Sequence, residues 1–126
     1  MSKSIAIVGA STDRSKYGNK AVRAFKQGGW TVYPVNPSAK EVEGLASYAS
    51  IADIPGPIDR ISMYVPPSVG KKMLPAIAGK GPQEFFLNPG SEDEEIIQQA
   101  KSLGLEPIQV CSIVNIGLRP DMFPDH

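Results

Sequence analysis

Apolar and polar positions along the chain change spacing from segment to segment, and the changes separate extended stretches from helical ones. Residues 4–8, Ser-Ile-Ala-Ile-Val, form a short run rich in Ile and Val, and residues 30–35 form another with Thr, Val and Tyr. Both are bounded by turn residues, so both predict strands. Between them, residues 18–27 place Ala21, Val22, Ala24 and Phe25 at helical spacing, and Gly28-Gly29 supplies a stop. Residues 38–50 are mixed: Val42, Leu45 and Tyr48 support no long element, which predicts a connection with room for one helical turn. Asp53-Ile-Pro-Gly-Pro57 reads as a turn. A third strand is expected at 58–65, apolar at Ile58, Ile61, Met63 and Val65 and ended by Pro66-Pro67. A second helix follows over 68–79, because proline suits a first helical turn.

Residues 83–87, Gln-Glu-Phe-Phe-Leu, predict a fourth strand, and Asn88-Pro89-Gly90 a turn beyond it. Ser91 with Glu94 makes a capping-box pattern, and the acidic run 92–95 complements the dipole of a third helix over 92–103, stopped by Gly104. A fifth strand is expected at 106–110. The tail from Ser112, interrupted by Gly117, Pro120 and Pro124, is expected to be irregular. Strands alternating with helices predict an α/β, Rossmann-like fold: a mostly parallel five-stranded sheet with right-handed crossovers and helices on both faces. A length of 126 residues predicts one domain over 1–126.

Ligands of such sheets sit beyond the carboxyl ends of the strands, where the strand order reverses. The segments expected there are Gly9–Ser15, Val35–Pro37, Tyr64–Ser68, Leu87–Gly90 and Cys111–Ile113. The first has the character of a phosphate site. The strand stops at Gly9, which lacks a Cβ and admits close approach, and the following helix aims unpaired N–H groups and its positive end at an anion. Ser11 adds a hydroxyl. The dinucleotide fingerprint fails, since Gly9-Ala10-Ser11-Thr12-Asp13-Arg14 holds one of its three glycines and neutral Asn36 stands where a ribose-binding carboxylate belongs. The Walker pattern is absent as well.

Charge and composition narrow the classes further. Thirteen basic residues balance thirteen acidic ones, so no overall field draws the chain to nucleic acid or an anionic membrane. Apolar runs are too short to span a bilayer, and Met1-Ser-Lys-Ser4 enters a strand without a signal-peptide core, which predicts a cytoplasmic protein. With one cysteine, Cys111, and one histidine, His126, neither an internal disulfide nor a metal site is expected.

Val8-Gly-Ala-Ser11, Val32-Tyr-Pro-Val-Asn-Pro37, the Asp53-Ile-Pro55 turn, Tyr64-Val-Pro-Pro67 and the glycine-containing turn after the fourth strand occur in that order. In this the chain resembles the small stand-alone CoA-binding domain proteins, relatives of the CoA-binding domain of succinyl-CoA synthetase α subunits and ADP-forming acyl-CoA synthetases. The resemblance covers residues 4 to 111 and implies CoA as cofactor, its diphosphate at the first turn and its adenosine near the ends of strands two and three. Gly9, Ala10 and Ser11 then offer donors to the diphosphate, and Arg14 or Lys16 meets a 3′-phosphate or the diphosphate. Val35, Pro37, Val65 and Pro66 supply a slot for adenine, and Asn36 hydrogen-bonds without repelling phosphate. Pro67, Pro89 and Gly90 complete the expected site. The chain departs from the family in having Leu87-Asn-Pro-Gly90 where a Gln-x-Gly-type segment is usual. It also continues past Cys111 with apolar Ser112-Ile-Val-Asn-Ile-Gly117.

Each feature has a plainer reading. Gly9–Ser11 also suits an ordinary strand-to-helix turn, and Arg14, Lys16 and Lys20 also suit a solvated face. Tyr17 is able to stack on a ring or to cover the sheet edge. Cys111 reads first as a small buried hydrophobe, because a nucleophile wants a base or an electropositive setting. The leading functional reading is a binding protein for CoA or acyl-CoA without catalysis of its own, with no nucleic-acid or membrane partner and with homo-oligomerisation left open. An NAD(P)-binding oxidoreductase and a partner-dependent acyl-CoA synthetase module are the enzyme alternatives. The phosphohistidine that the resemblance implies for the synthetases has no candidate outside His126. A structural module whose residues 113–118 dock on another subunit is the third class.

Overall fold

The computed structural model describes residues 3–126. Five parallel strands form the sheet, β1 (Ser4–Val8), β2 (Thr31–Val35), β5 (Arg60–Met63), β6 (Glu84–Leu87) and β7 (Pro107–Ile108), in the order β2-β1-β5-β6-β7. Register pairs Ile5 with Val32 on one side and with Arg60 on the other, and Met63 with Leu87. Because side chains alternate across a strand, Ile5 and Ile7 face one layer while Ala6 and Val8 face the other. The first layer holds α1 (Tyr17–Gln27) and α5 (Ser112–Asn115). The second holds α2 (Pro67–Gly70), α3 (Leu74–Lys80) and α4 (Glu94–Ser102). Both faces are therefore covered, as parallel sheets require. The expected α/β, Rossmann-like architecture is the observed one.

Four elements differ from the sequence expectation. Residues 38–50 hold no helical turn: β3 (Glu41–Val42) and β4 (Leu45–Ala46) form a small antiparallel hairpin. Its two-residue turn puts Glu43 at φ 50° and Gly44 at φ 80°, the left-handed pair that such a turn needs. Glu43 tolerates this because its carboxylate accepts from Asn19 Nδ2 and Arg14 Nη2 and its carbonyl from Lys26 Nζ. The helix expected over 68–79 is broken into α2, a 3-10 turn at Lys71–Met73 and α3. Pro75 is the cause: inside one continuous helix it would lose a hydrogen bond and clash with the preceding turn, whereas it stands in the first turn of α3.

The third helix begins at Glu94, and its cap is Asp93, whose carboxylate accepts from the Ile96 N–H at 2.8 Å. Ser91 is not the cap; it is buried, and its N–H closes the preceding turn on Asn88 O. The tail after Cys111 is ordered. α5 buries Ile113, and a 3-10 turn at Pro120–Met122 brings Phe123 into the same core as Val22 and Phe25 of α1. A tail docked on another subunit through Ile113 is excluded by this packing. Strand limits also shrink, from 58–65 to Arg60–Met63 and from 106–110 to Pro107–Ile108.

Candidate functional site

At the carboxyl ends of β1, β2 and β5, where the strand order reverses, three loops surround a cleft of about 750 Å3. Gly9 makes the first turn possible. Its φ is 93°, and a Cβ there would lie 2.9 Å from Val65 Cγ1 and 3.1 Å from the Tyr64 carbonyl carbon. Gly18 makes the second close approach, since its Cβ would fall 2.0 Å from Gly9 O. Two glycines nine positions apart thus seat the start of α1 directly on the β1 turn, a packing role that the spacing of the failed fingerprint conceals.

The N-terminus of α1 opens on this cleft. Lys16 occupies the cap position without a side-chain cap, the first helical turn carries no acidic residue, and Lys16, Tyr17 and Gly18 line the wall beside Gly9, Ala10 and Ser11. Lys16 is the only charged side chain among the described lining residues. Unpaired helix amides, the positive dipole end and one cation make this wall attractive to an anion. The opposite wall is apolar: Val35, Pro37, Ala49, Val65, Val69 and Met73.

Asn36 lines the cleft, but its side chain is committed to the protein. Nδ2 donates to Ala10 O at 2.8 Å, and Oδ1 accepts from the Ser38 and Ala39 N–H groups at 2.7 and 3.0 Å. It therefore ties the β2 loop to the β1 loop and closes an Asx turn. Ser11 lines the wall while its hydroxyl accepts from the Asp13 N–H.

Of the other expected residues, Arg14 turns toward Glu43, at 3.3 Å, and the His126 carbonyl, and is not among the lining residues. Pro66 and Pro67 form the cap and first position of α2 at the cleft's edge. Gly90 is exposed in the turn after β6, its N–H donating to Glu92. Pro89 belongs to a second cavity of about 280 Å3, lined also by Tyr17, Tyr64, Asn88, Cys111, Val114 and Pro120. Tyr17 and Tyr64 border both cavities. Cys111 is half-buried and free rather than fully buried. Burial in apolar surroundings pushes the Tyr64 phenol well above its ordinary range, while the nearby Ser62 hydroxyl and Arg60 charge pull it partly back. The sequence placed Tyr64 in the expected segment Tyr64–Ser68 without giving it a role, and it missed Ala49, Val69 and Met73 as wall residues. Tyr64 was detectable from its place at a strand end, the others only from tertiary packing. Among the described residues no group of acidic, histidine and cysteine side chains is placed to hold a metal ion.

A parallel α/β domain with an anion-facing glycine turn at the reversal of strand order is the class of protein that fold and site define. The chain belongs to the CoA-binding domain family, whose sequence pattern matches residues 3–117. It is 40% identical over 118 residues to the acetate–CoA ligase (ADP-forming) II subunit alpha of Pyrococcus furiosus, covering 84% of this chain and 26% of that one. It therefore spans about a quarter of that relative's length. The Bacillus subtilis protein YneT is 30% identical over 107 residues, covering 82% of this chain and 76% of its own. Among solved structures, a conserved hypothetical protein of Pyrococcus furiosus superposes with a TM-score of 0.83 at 36% identity, covering 90% of this chain and 98% of that one.

Proposed function

We propose that the chain is a CoA-binding protein, holding CoA or its thioesters in the 750 Å3 cleft without catalysing a reaction alone. The observation that carries the reading is the cleft's division into one anion-facing wall, from Gly9 to Ser11 and Lys16 to Gly18, and one apolar wall around Val35, Pro37 and Val65. On this reading the diphosphate takes the loop and helix amides with Lys16 beside it. The adenine lies against Val35, Pro37 and Val65, near the edge made by Pro66 and Pro67. Asn36 acts through its hold on Ala10 O rather than by touching the ligand. Arg14 reaches a 3′-phosphate by exchanging its exposed Glu43 partner for it. The thiol end then runs past Tyr64 toward Pro89, with Gly90 outside.

The likeness to a ligase subunit supports a module that meets a partner chain, which would have to supply the catalytic histidine, His126 being the only one in this sequence. A cytoplasmic place belongs to the same reading and is supported by the unpaired Cys111. No helix among the described residues is long and apolar enough to cross a membrane.

Calorimetric titration with CoA, dephospho-CoA, NAD and NADP tests the proposal. CoA is expected to bind most tightly, with dephospho-CoA weaker if Arg14 makes the exchange. Binding of NAD or NADP as tight as that of CoA would overturn the reading.

A further inference from the structure

The cleft and its expected ligand do not match in charge. CoA carries about four negative charges at neutral pH, on its diphosphate and 3′-phosphate, whereas Lys16 is the only charged side chain among the described lining residues. Arg14, Lys20 and Arg23 stand on the same loop and helix, and all three are engaged by residues 124–126. Arg14 Nη1 donates to His126 O at 3.0 Å, Arg23 Nη2 donates to Pro124 O at 2.9 Å, and Lys20 Nζ pairs with Asp125 Oδ1 at 2.6 Å. Lys20 stands close to the cleft, its Nζ 5.9 Å from the ring centroid of Tyr17, a wall residue. Only 12% of the Lys20 side chain is exposed. A lysine ordinarily keeps its ammonium in water, so the segment covers a cation that an anionic ligand at this end of the sheet would use.

The tail is held differently on the two sides of Phe123. Phe123 itself is buried in the α1 core, with the Arg23 guanidinium 5.8 Å from its ring centroid. Beyond it the residues are exposed, and their contacts to α1 and its preceding loop are surface hydrogen bonds and one ion pair. Such contacts are weak, and a phosphate dianion is a stronger partner for arginine and lysine than a carbonyl or a single exposed carboxylate. We propose that residues 124–126 are an autoinhibitory strap, hinged at Phe123, that occupies Arg14 and Lys20 until the 3′-phosphate of CoA displaces it. The inference rests on the CoA reading of the cleft. Coupling of this kind is reciprocal: the strap lowers CoA affinity, and bound CoA frees the strap. CoA occupancy is thereby passed to an exposed segment of the surface.

Titrations of the full chain with CoA and dephospho-CoA test the strap in wild type, Asp125→Ala and Asp121→Ala. Asp121 is exposed and pairs with Arg119, so its variant makes the same charge change without touching the strap's contacts. Both substitutions fall at exposed positions and should leave the melting temperature unchanged. Asp125→Ala is expected to bind CoA about two- to fivefold more tightly than wild type, and dephospho-CoA with wild-type affinity. Asp121→Ala is expected to match wild type for both ligands. In the isotopically labelled wild type, CoA should lower the heteronuclear NOE of the Asp125 and His126 amides, and dephospho-CoA should not. Unchanged CoA affinity of Asp125→Ala, a gain shared by dephospho-CoA or by Asp121→Ala, or amides 125 and 126 equally rigid with and without CoA would overturn the strap alone. Binding of neither ligand to any of the three proteins would instead remove the CoA reading beneath it.

Discussion

Asn36 joins two loops that the sheet by itself leaves independent. Its amide donates to Ala10 O while its carbonyl holds the Ser38 and Ala39 amides, so one side chain fixes the spacing between the anion-facing and apolar walls. Asn36→Ala should lower stability by about 1 kcal/mol, read as a lower urea midpoint, and weaken CoA binding. Asn36→Asp keeps the acceptor and loses the donor to Ala10, so it should retain more stability while binding CoA worse, since it adds a carboxylate to the cleft. Lys16 is exposed, and its attraction for a phosphate is screened. Lys16→Ala should therefore cost CoA affinity about fivefold at most, ~1 kcal/mol, and the difference should shrink as salt rises in the titration. The sequence marks Asn36 only as a neutral residue where a dinucleotide site has a carboxylate. Its bracing role is invisible there because Ala10 lies 26 positions away.

α5 depends on Arg60. The guanidinium is buried, lies 4.1 Å from the Phe86 ring centroid, pairs with Glu84, and donates to Ser112 Oγ at 3.2 Å and Asn115 Oδ1 at 2.8 Å. Arg60→Ala should cost about 2–3 kcal/mol through the void and the orphaned polar groups. It should also raise hydrogen exchange over 112–123 more than in β1. The start of α4 has a different chemistry. Asp93 is held below the usual carboxylate range, first by the Ile96 N–H and then by Lys71, while Lys71 is raised chiefly by Glu95. A carboxylate with a lowered folded pKa stabilises above its unfolded value, about 3.9, and that support is lost as pH falls through the folded value. The raised Lys71 acts oppositely, its support being lost as pH rises through its folded pKa. Melting followed from pH 7 down to pH 2 should show an acid loss that Asp93→Asn largely lacks.

Elements whose own periodicity decides them were legible: β1, α1 and β2 come within one residue of the expected limits. The β3-β4 hairpin was not, because a left-handed Glu43 is made tolerable by Asn19, Arg14 and Lys26, which are distant in sequence. The break in the second helix was missed by the expectation of one helix over 68–79, although Pro75 inside that span marks it. The α5 tail was not legible, since a short helix after several turn residues is decided by what it packs on.

For the whole molecule, the order β2-β1-β5-β6-β7 puts the ends of β1, β2 and β5 around one cleft. That placement was readable from the alternation of strands and helices, and so were Gly9 to Ser11, Val35 to Pro37 and the segment from Tyr64 as its loops. The division of labour within them was not, because it depends on which polar atoms the fold has already used. The central claim is that CoA binds at this end, with phosphate on the β1 turn and the start of α1. The most direct measurement is a titration with CoA followed by amide resonances of the isotopically labelled chain. The account predicts the largest shifts at residues 9–11, 16–18, 35–36 and 64–65, with those around Gly56 and Gly104 unmoved. Saturable CoA binding whose shifts cluster at the opposite end of the sheet, sparing Gly9 and Gly18, would contradict it.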